Sequence, residues 1–267
     1  MSTVLSTALR PALALALAAA CLATAAPPAA AAGPDQLFLR SLHTDDPGGR
    51  IAYDGTLVAG DVPLFCQVAR RSPVPPRPTV WSGGSWQVPD GEGSRHVSFG
   101  RATDTPLCGD WDGDGLDEPG VRRGNRFFLG SDMVRGGGEV TTFVLGRATD
   151  TPLAGDWDGD GDDEIALHRG STFLAARSNV DGGGGLVSST FGRAGDVAVA
   201  GHFALDPRQT HDSLAVRRGS TYHFSADRIG GRMGTVASFP WGRSADLPVG
   251  VGVGPAPQPL GLLRVVP

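Results

Sequence analysis

Short apolar runs separated by clusters of Gly, Asp and Asn occupy the chain from Asp35 onward. One stretch reads TPLAG, EIALHR, TFLAAR and VSSTFG in succession. Each run has a strand's length, with period-two alternation or continuous apolarity, and none sustains a helical period. The pattern predicts four short antiparallel strands joined by tight turns.

That group of strands recurs. The phrases LVAGD, PLCGD, PLAGD, VAVAGH and LPVGV place glycines at Gly60, Gly109, Gly155, Gly201 and Gly250, spaced 49, 46, 46 and 49 residues apart. A second phrase, an aromatic residue or leucine followed by Gly-Arg-x-x-Asp, recurs at Phe99–Asp104, Leu145–Asp150, Phe191–Asp196 and Trp241–Asp246. Between them stand VRRGNRFFL, LHRGSTFLA and VRRGSTYHF, with TVWSGGSWQV as a worn copy. A meander this small cannot bury both faces alone and must stack on its neighbours, which is the β-propeller pattern. Residues 35–56 read as the second half of a unit and the last twenty as the first half. The expected fold is therefore all-β: a propeller of five four-stranded blades, with the N- and C-terminal strands sharing the closing blade so that no edge stays open.

Two turns carry unusual chemistry. The phrase GDWDGDG occurs at Gly109–Gly115 and at Gly155–Gly161. In the first, Asp110, Asp112 and Asp114 occupy positions 1, 3 and 5 of a tight loop. Leu116 offers a backbone carbonyl at position 7, and Asp117 or Glu118 closes the set. The second repeats the plan with Asp156, Asp158 and Asp160, the carbonyl of Asp162, then Asp163 or Glu164. Hard oxygen donors in that number suit Ca²⁺, so two structural calcium ions are expected. The alternative is a pair of solvated turns capped by their own aspartates, which the mutual repulsion of nine clustered aspartates disfavours. An EF-hand uses similar spacing but needs flanking helices, whereas PLCG and PGVRRG read as strands. The remaining turns have lost the acids: Asp61-Val-Pro-Leu keeps only the first, His202 replaces it in another, and Val251-Gly-Val-Gly-Pro has none.

The FG of SFGRATD and TFGRAGD, followed by DxDGDG, resembles the FG-GAP or VCBS repeat family, whose members include integrin α-subunit-like propellers. The resemblance spans nearly all of Asp35–Pro267 and implies a calcium-binding propeller used for recognition. It also implies closure of each loop by the acid at position 9, Glu118 and Glu164. Such propellers usually have seven blades, and the count of five departs from that.

Composition narrows the partners. All 23 basic residues are arginine against 28 acids, a net charge of −5. A basic face for nucleic acid is not expected. Without lysine there is no Schiff-base chemistry and no phosphate-loop NTPase. Residues 1–32 have the layout of a secretory signal peptide: Arg10, the apolar stretch Pro11–Ala23, then small residues. Their apolar core is shorter than the roughly 20 residues of a span. A secreted protein with residues 33–267 as one propeller domain, monomeric and without a transmembrane segment in the mature chain, is the expectation; a lipid anchor on Cys21 is the alternative. Cys66 and Cys108 then remain, as a disulfide or as two buried thiols.

No zinc-protease or nucleophile-elbow motif occurs. Only four glutamates are present, and two belong to the loops. His168 reads as a polar residue at a repeat position. Asp104, Asp150, Asp196 and Asp246 recur in every Gly-Arg-x-x-Asp phrase, which favours a structural turn or Arg–Asp pairing. Arg101, Arg147, Arg193 and Arg243 recur beside them, for hydrogen bonding between blades or for capture of carboxylates and sugars. Trp81 and Trp86 are the expected exposed aromatics on which sugars could stack, while Trp111 and Trp157 are expected to pack between blades. The functional expectation is a binding or scaffold module for a glycan or protein. The alternative is a carbohydrate-active enzyme, glycosidase or lyase, with its site in the propeller channel.

Overall fold

The structure is a computed structural model that describes residues 36–40, 57, 60–69, 78–91, 93–136, 138–203, 205, 208–249 and 260–264. The segment 1–32 with Cys21, the strand expected at GGRIAY and the proline-rich stretch before Pro78 lie outside these residues. So does the Val251-Gly-Val-Gly-Pro turn.

Among the described residues the first element is β1 (Gln36–Arg40), and four meanders follow. The first is β2 (Val62–Leu64), β3 (Thr79–Ser82), β4 (Ser85–Asp90) and β5 (Gly93–Ser98); the second is β6 (Thr105–Gly109), β7 (Glu118–Arg123), β8 (Arg126–Gly130) and β9 (Val140–Val144). The third is β10 (Thr151–Gly155), β11 (Glu164–Arg169), β12 (Thr172–Ala176) and β13 (Leu186–Thr190); the fourth is β14 (Val197–Gly201), β15 (Ser213–Arg218), β16 (Thr221–Ser225) and β17 (Ala237–Pro240). Then come β18 (Leu247–Val249) and β19 (Leu260–Arg264). Each meander is one four-stranded antiparallel sheet. Their first strands lie side by side, β2 by β6, β6 by β10, β10 by β14, and β14 by β18, which is the propeller arrangement.

Among the described residues four sheets have four strands, one fewer than the five four-stranded blades expected, and a further sheet has three, in the order β1-β19-β18. Its composition follows the expectation that the chain's ends share a sheet, with Gln36 opposite Arg264 and Arg40 opposite Leu260. The fourth strand expected there falls on GGRIAY, outside the described residues.

Stacking explains why the second strand of a blade reads as nearly unbroken apolar sequence. In β11 every residue from Glu164 to His168 is buried, because both faces of the sheet are covered. Alternation then distributes the side chains. Ile165 and Leu167 join Leu107, Phe127 and Phe143 between the second and third blades. Ala166 turns the other way, to join Phe173, Leu214, Val216 and Trp157 between the third and fourth.

Trp81 and Trp86, expected to be exposed, are buried at 4% and 0% exposure. They face each other across β3 and β4 and pack on Val121 and Met133 of the second blade. The Trp86 indole N–H donates to the carbonyl of Phe99 at 3.0 Å. Trp111 and Trp157 pack between blades as expected, against the clusters on either side of the third.

Cys66 and Cys108 form a disulfide, with Cα atoms 5.9 Å apart, that ties the first blade to the second. Among the described residues no helix is long and apolar enough to cross a membrane.

Candidate metal centre

Strand register sets the frame of the aspartate loops. Gly109 pairs with Glu118 across β6 and β7, and Gly155 with Glu164 across β10 and β11. Each loop is therefore the hairpin between the first two strands of a blade, flanked by strands as expected. The glycine is required by crowding. A Cβ on Gly109 would come within 2.8 Å of the Trp111 ring and of Asp163 Oδ2, and one on Gly155 within 2.9 Å of Trp157 and Asp212 Oδ2.

The first position folds the turn. Asp110 accepts the N–H groups of Asp114 at 3.0 Å and Gly115 at 2.7 Å. Asp112 also accepts from Asp114, and Asp114 accepts from the N–H of Leu116 at 2.9 Å. In the second loop Asp156 accepts from Gly159 and Gly161, and Asp160 from Asp162. These bonds preform the loop and leave carboxylate oxygens directed into it.

The structure separates the two acids that sequence spacing leaves equivalent. Oxygens of Asp110, Asp112 and Glu118 lie within 4.8 Å of one another, as do those of Asp156, Asp158 and Asp160, and those of Asp160, Asp162 and Glu164. The ninth residue of each loop thus joins the converging set. In the second loop Asp162 does so by its side chain, where a carbonyl was expected. The eighth residue turns to the neighbouring blade. Asp117 accepts the N–H of Gln67 at 2.9 Å while its own N–H donates to the Gln67 carbonyl at 2.8 Å. Asp163 makes the same two bonds with Asp110, and Asp212 with Asp156. Asp117 also lies near the sulfurs of Cys66 and Cys108, but these are bonded to each other and are not free ligands.

Electrostatics favour a cation in both loops. Burial pushes the Glu118 carboxyl up to about 8 despite a bond from the Trp111 N–H, with Asp112, Asp110 and Asp114 adding to the rise. Burial, then Asp158, Asp160, Asp162 and Asp156, push Glu164 up to about 9. Asp158 Oδ1 and Glu164 Oε2 are buried without a hydrogen-bond partner. A divalent ion would neutralise these groups and occupy the unpartnered oxygens, and an all-carboxylate donor set fits a hard cation. Asp110, Asp112 and Glu118 would hold one; Asp156, Asp158, Asp160, Asp162 and Glu164 would hold the other.

The first blade's loop begins later than the LVAGD phrase suggests. Asp61 directly precedes β2, as Asp104, Asp150, Asp196 and Asp246 precede the first strands of the later sheets, so it belongs to the Gly-Arg-x-x-Asp turn. Gln67 takes the place of Asp110. In the fourth blade His202 takes that place and lies 3.5 Å from Asp212, its Nδ1 to Oδ1. Gln209 braces that hairpin by donating to the His211 carbonyl and the Ser213 hydroxyl.

The recurring turn aspartates pair with arginine, as expected. Arg123, Arg169 and Arg218 each place Nε and Nη2 on Asp104, Asp150 and Asp196. The same carboxylates accept the N–H groups of Arg101, Arg147 and Arg193, whose side chains are exposed. Hydrogen bonding to the turns falls instead to Arg122 and Arg217. Arg122 donates to the carbonyls of Asp150 and Arg147, and Arg217 to those of Asp246 and Arg243. His168 occupies the same register position in the third blade, where its Nε2 is buried without a partner.

The propeller axis holds a cavity of about 100 Å³ lined by Leu64, Leu107, Leu153, Val199 and Pro248, among other largely apolar residues of the five first strands. None of its lining residues is acidic. No protein-family model matches this chain, and no curated protein matches it.

Proposed function

We propose that this is a secreted, calcium-stabilised propeller of the FG-GAP or VCBS type that acts as a binding or scaffold module for a glycan or protein ligand. The carrying observation is the clustering of carboxylates in two hairpins: Asp110, Asp112 and Glu118 in the first, and in the second two triads that share Asp160, Asp156–Asp158–Asp160 and Asp160–Asp162–Glu164. The metal is structural in this reading: each set sits inside one hairpin of one blade. The sheet β1-β19-β18 is the fifth blade, and the protein is a monomer. A disulfide between blades suits an oxidising compartment, which supports secretion and the signal-peptide reading of residues 1–32. The apolar axial cavity offers no carboxylate pair for glycoside cleavage, so the binding reading is preferred to the enzymatic one.

The test is a glycan array on the calcium-loaded protein, run with and without EGTA beside a broad glycosidase and lyase screen. Retained glycans without cleavage support the module. Turnover of any glycan without retention overturns it.

A further inference from the structure

Arg95, Arg123, Arg135, Arg169 and Arg218 form side-chain ion pairs with aspartates. Arg177, Arg228 and Arg232 line one groove of about 480 Å³ between the third and fourth blades, where Arg228 is attracted to Asp158. A net-negative chain that gathers three guanidiniums against two aspartates around one concavity has a net-positive, anion-attracting site there.

The groove is built on anchored backbone. Arg228 and Arg232 belong to the loop between β16 and β17, and Ile229 between them is 6% exposed within the interblade core. Ser189 on β13 holds the same loop twice: its hydroxyl accepts the N–H of Gly230 and donates to the carbonyl of Gly231, each at 2.8 Å. Arg177 follows β12 on the opposite wall, its N–H held by the Gly183 carbonyl at 2.8 Å. The cationic heads are exposed, but the backbone that presents them is fixed.

The other lining groups choose among anions. Asp227 stands in the same groove, while Asp158 beside it is committed to the second aspartate loop; Asp227 repels a compact, densely charged anion such as phosphate and accepts hydrogen bonds from hydroxyl groups. Val187 and Ile229 add an apolar wall. Planar carboxylates match guanidinium forks, hydroxyls match Asp227, and the C–H face of a pyranose matches the wall. We infer that this groove binds a uronate-containing oligosaccharide, its carboxylates on Arg177, Arg228 and Arg232. The inference rests on the binding-module reading and names that module's ligand class and its surface, between two blades and away from the axis.

Isothermal titration calorimetry of the calcium-loaded protein tests it with an oligogalacturonide, a neutral glucan of equal length, poly-glutamate and inorganic phosphate. The oligogalacturonide should bind with an affinity that falls as salt rises, and the other three should bind at least about tenfold more weakly. The variant Arg177→Gln/Arg228→Gln/Arg232→Gln should lose at least about tenfold in affinity at an unchanged melting temperature. If the triple variant fails to fold, Arg232→Gln alone, an exposed position, should still weaken binding. Wild-type protein that ignores the oligogalacturonide, variants that bind it equally, or poly-glutamate or phosphate bound as tightly would each overturn the assignment. Retention of a neutral glycan on the array would then leave the module reading standing without it.

Discussion

The carboxylate of Asp163 accepts the N–H of Asp110 at 2.8 Å, and the N–H of Asp163 donates back to the Asp110 carbonyl at 2.6 Å. Position 8 of one loop is thereby fastened to position 1 of the loop before it, while position 9 stays with its own loop. Asp163→Ala should therefore cost about 1–3 kcal/mol of stability, and Asp163→Asn less because its amide oxygen still accepts the bond. Neither should change the drop in melting temperature caused by EGTA. Glu164→Gln should shrink that drop, and equal behaviour of the two positions in thermal melts would refute the division.

Calcium removal has a direct readout. EGTA should lower the melting temperature, by linkage of a ligand that binds only the folded state. Asp156→Ala with Asp158→Ala should abolish most of that shift, and the part left should vanish when Asp110 and Asp112 are also replaced. A wild-type melting curve indifferent to EGTA would sink the calcium assignment.

The Arg–Asp pairs predict the acid limb of the pH profile. Burial opposes the charged form of Asp150, but hydrogen bonds from Arg169 and from the Arg147 N–H outweigh it and hold the carboxyl below its ordinary value. Asp196 is held down in the same way by Arg218 and the Arg193 N–H. A lowered folded value means that the stabilisation is complete above the unfolded value of about 3.9 and is lost as pH falls through the folded one. Asp150→Asn should be less stable than wild type at pH 7 and should lose less on going from about pH 5 to about pH 2. Parallel acid-unfolding curves for the two proteins would contradict this.

The disulfide closes a separation of 42 residues. On the chain-entropy model a loop of that size contributes about 4 kcal/mol. Cys66→Ala with Cys108→Ala should lose roughly that in urea unfolding, or somewhat less where native packing relaxes.

His168 suggests a stabilising change. Arg122 and Arg217, at the same register position, each cap the next turn through two carbonyls. His168→Arg should supply those bonds to the carbonyls of Arg193 and Asp196. The expected gain is about 1 kcal/mol, or roughly 2–4 °C in melting temperature.

Repetition made the propeller legible. The strand pattern, the hairpin placement of the acids and the Arg–Asp turns all followed from residues that recur at one position. What failed was where a unit is worn. LVAGD imitates PLCGD in letters, yet Asp61-Val-Pro aligns in space with Asp104-Thr-Pro, because strand register rather than the nearest glycine sets position. Trp81 and Trp86 looked exposed because their blade lacks the aspartate loop; neighbouring side chains on the second blade bury them. Asp117 and Glu118 are adjacent acids whose opposite roles depend on Gln67, 50 residues away, and no local spacing reveals that. The arginine groove left no pattern at all, since Arg177 meets Arg228 and Arg232 only through the stacking of two blades.

The register of β1 against β19 has a consequence for assembly. Each of the four complete sheets forms from strands that follow one another in the chain, so its hairpins can close as they emerge. β1 must wait for a partner at the opposite end of the sequence. Long-range closure of this kind is slow, and until it happens the first strand and the β18–β19 hairpin both present bare hydrogen-bonding edges. The nascent protein therefore passes through an interval in which most of its interior is built while its two ends remain adhesive to other chains.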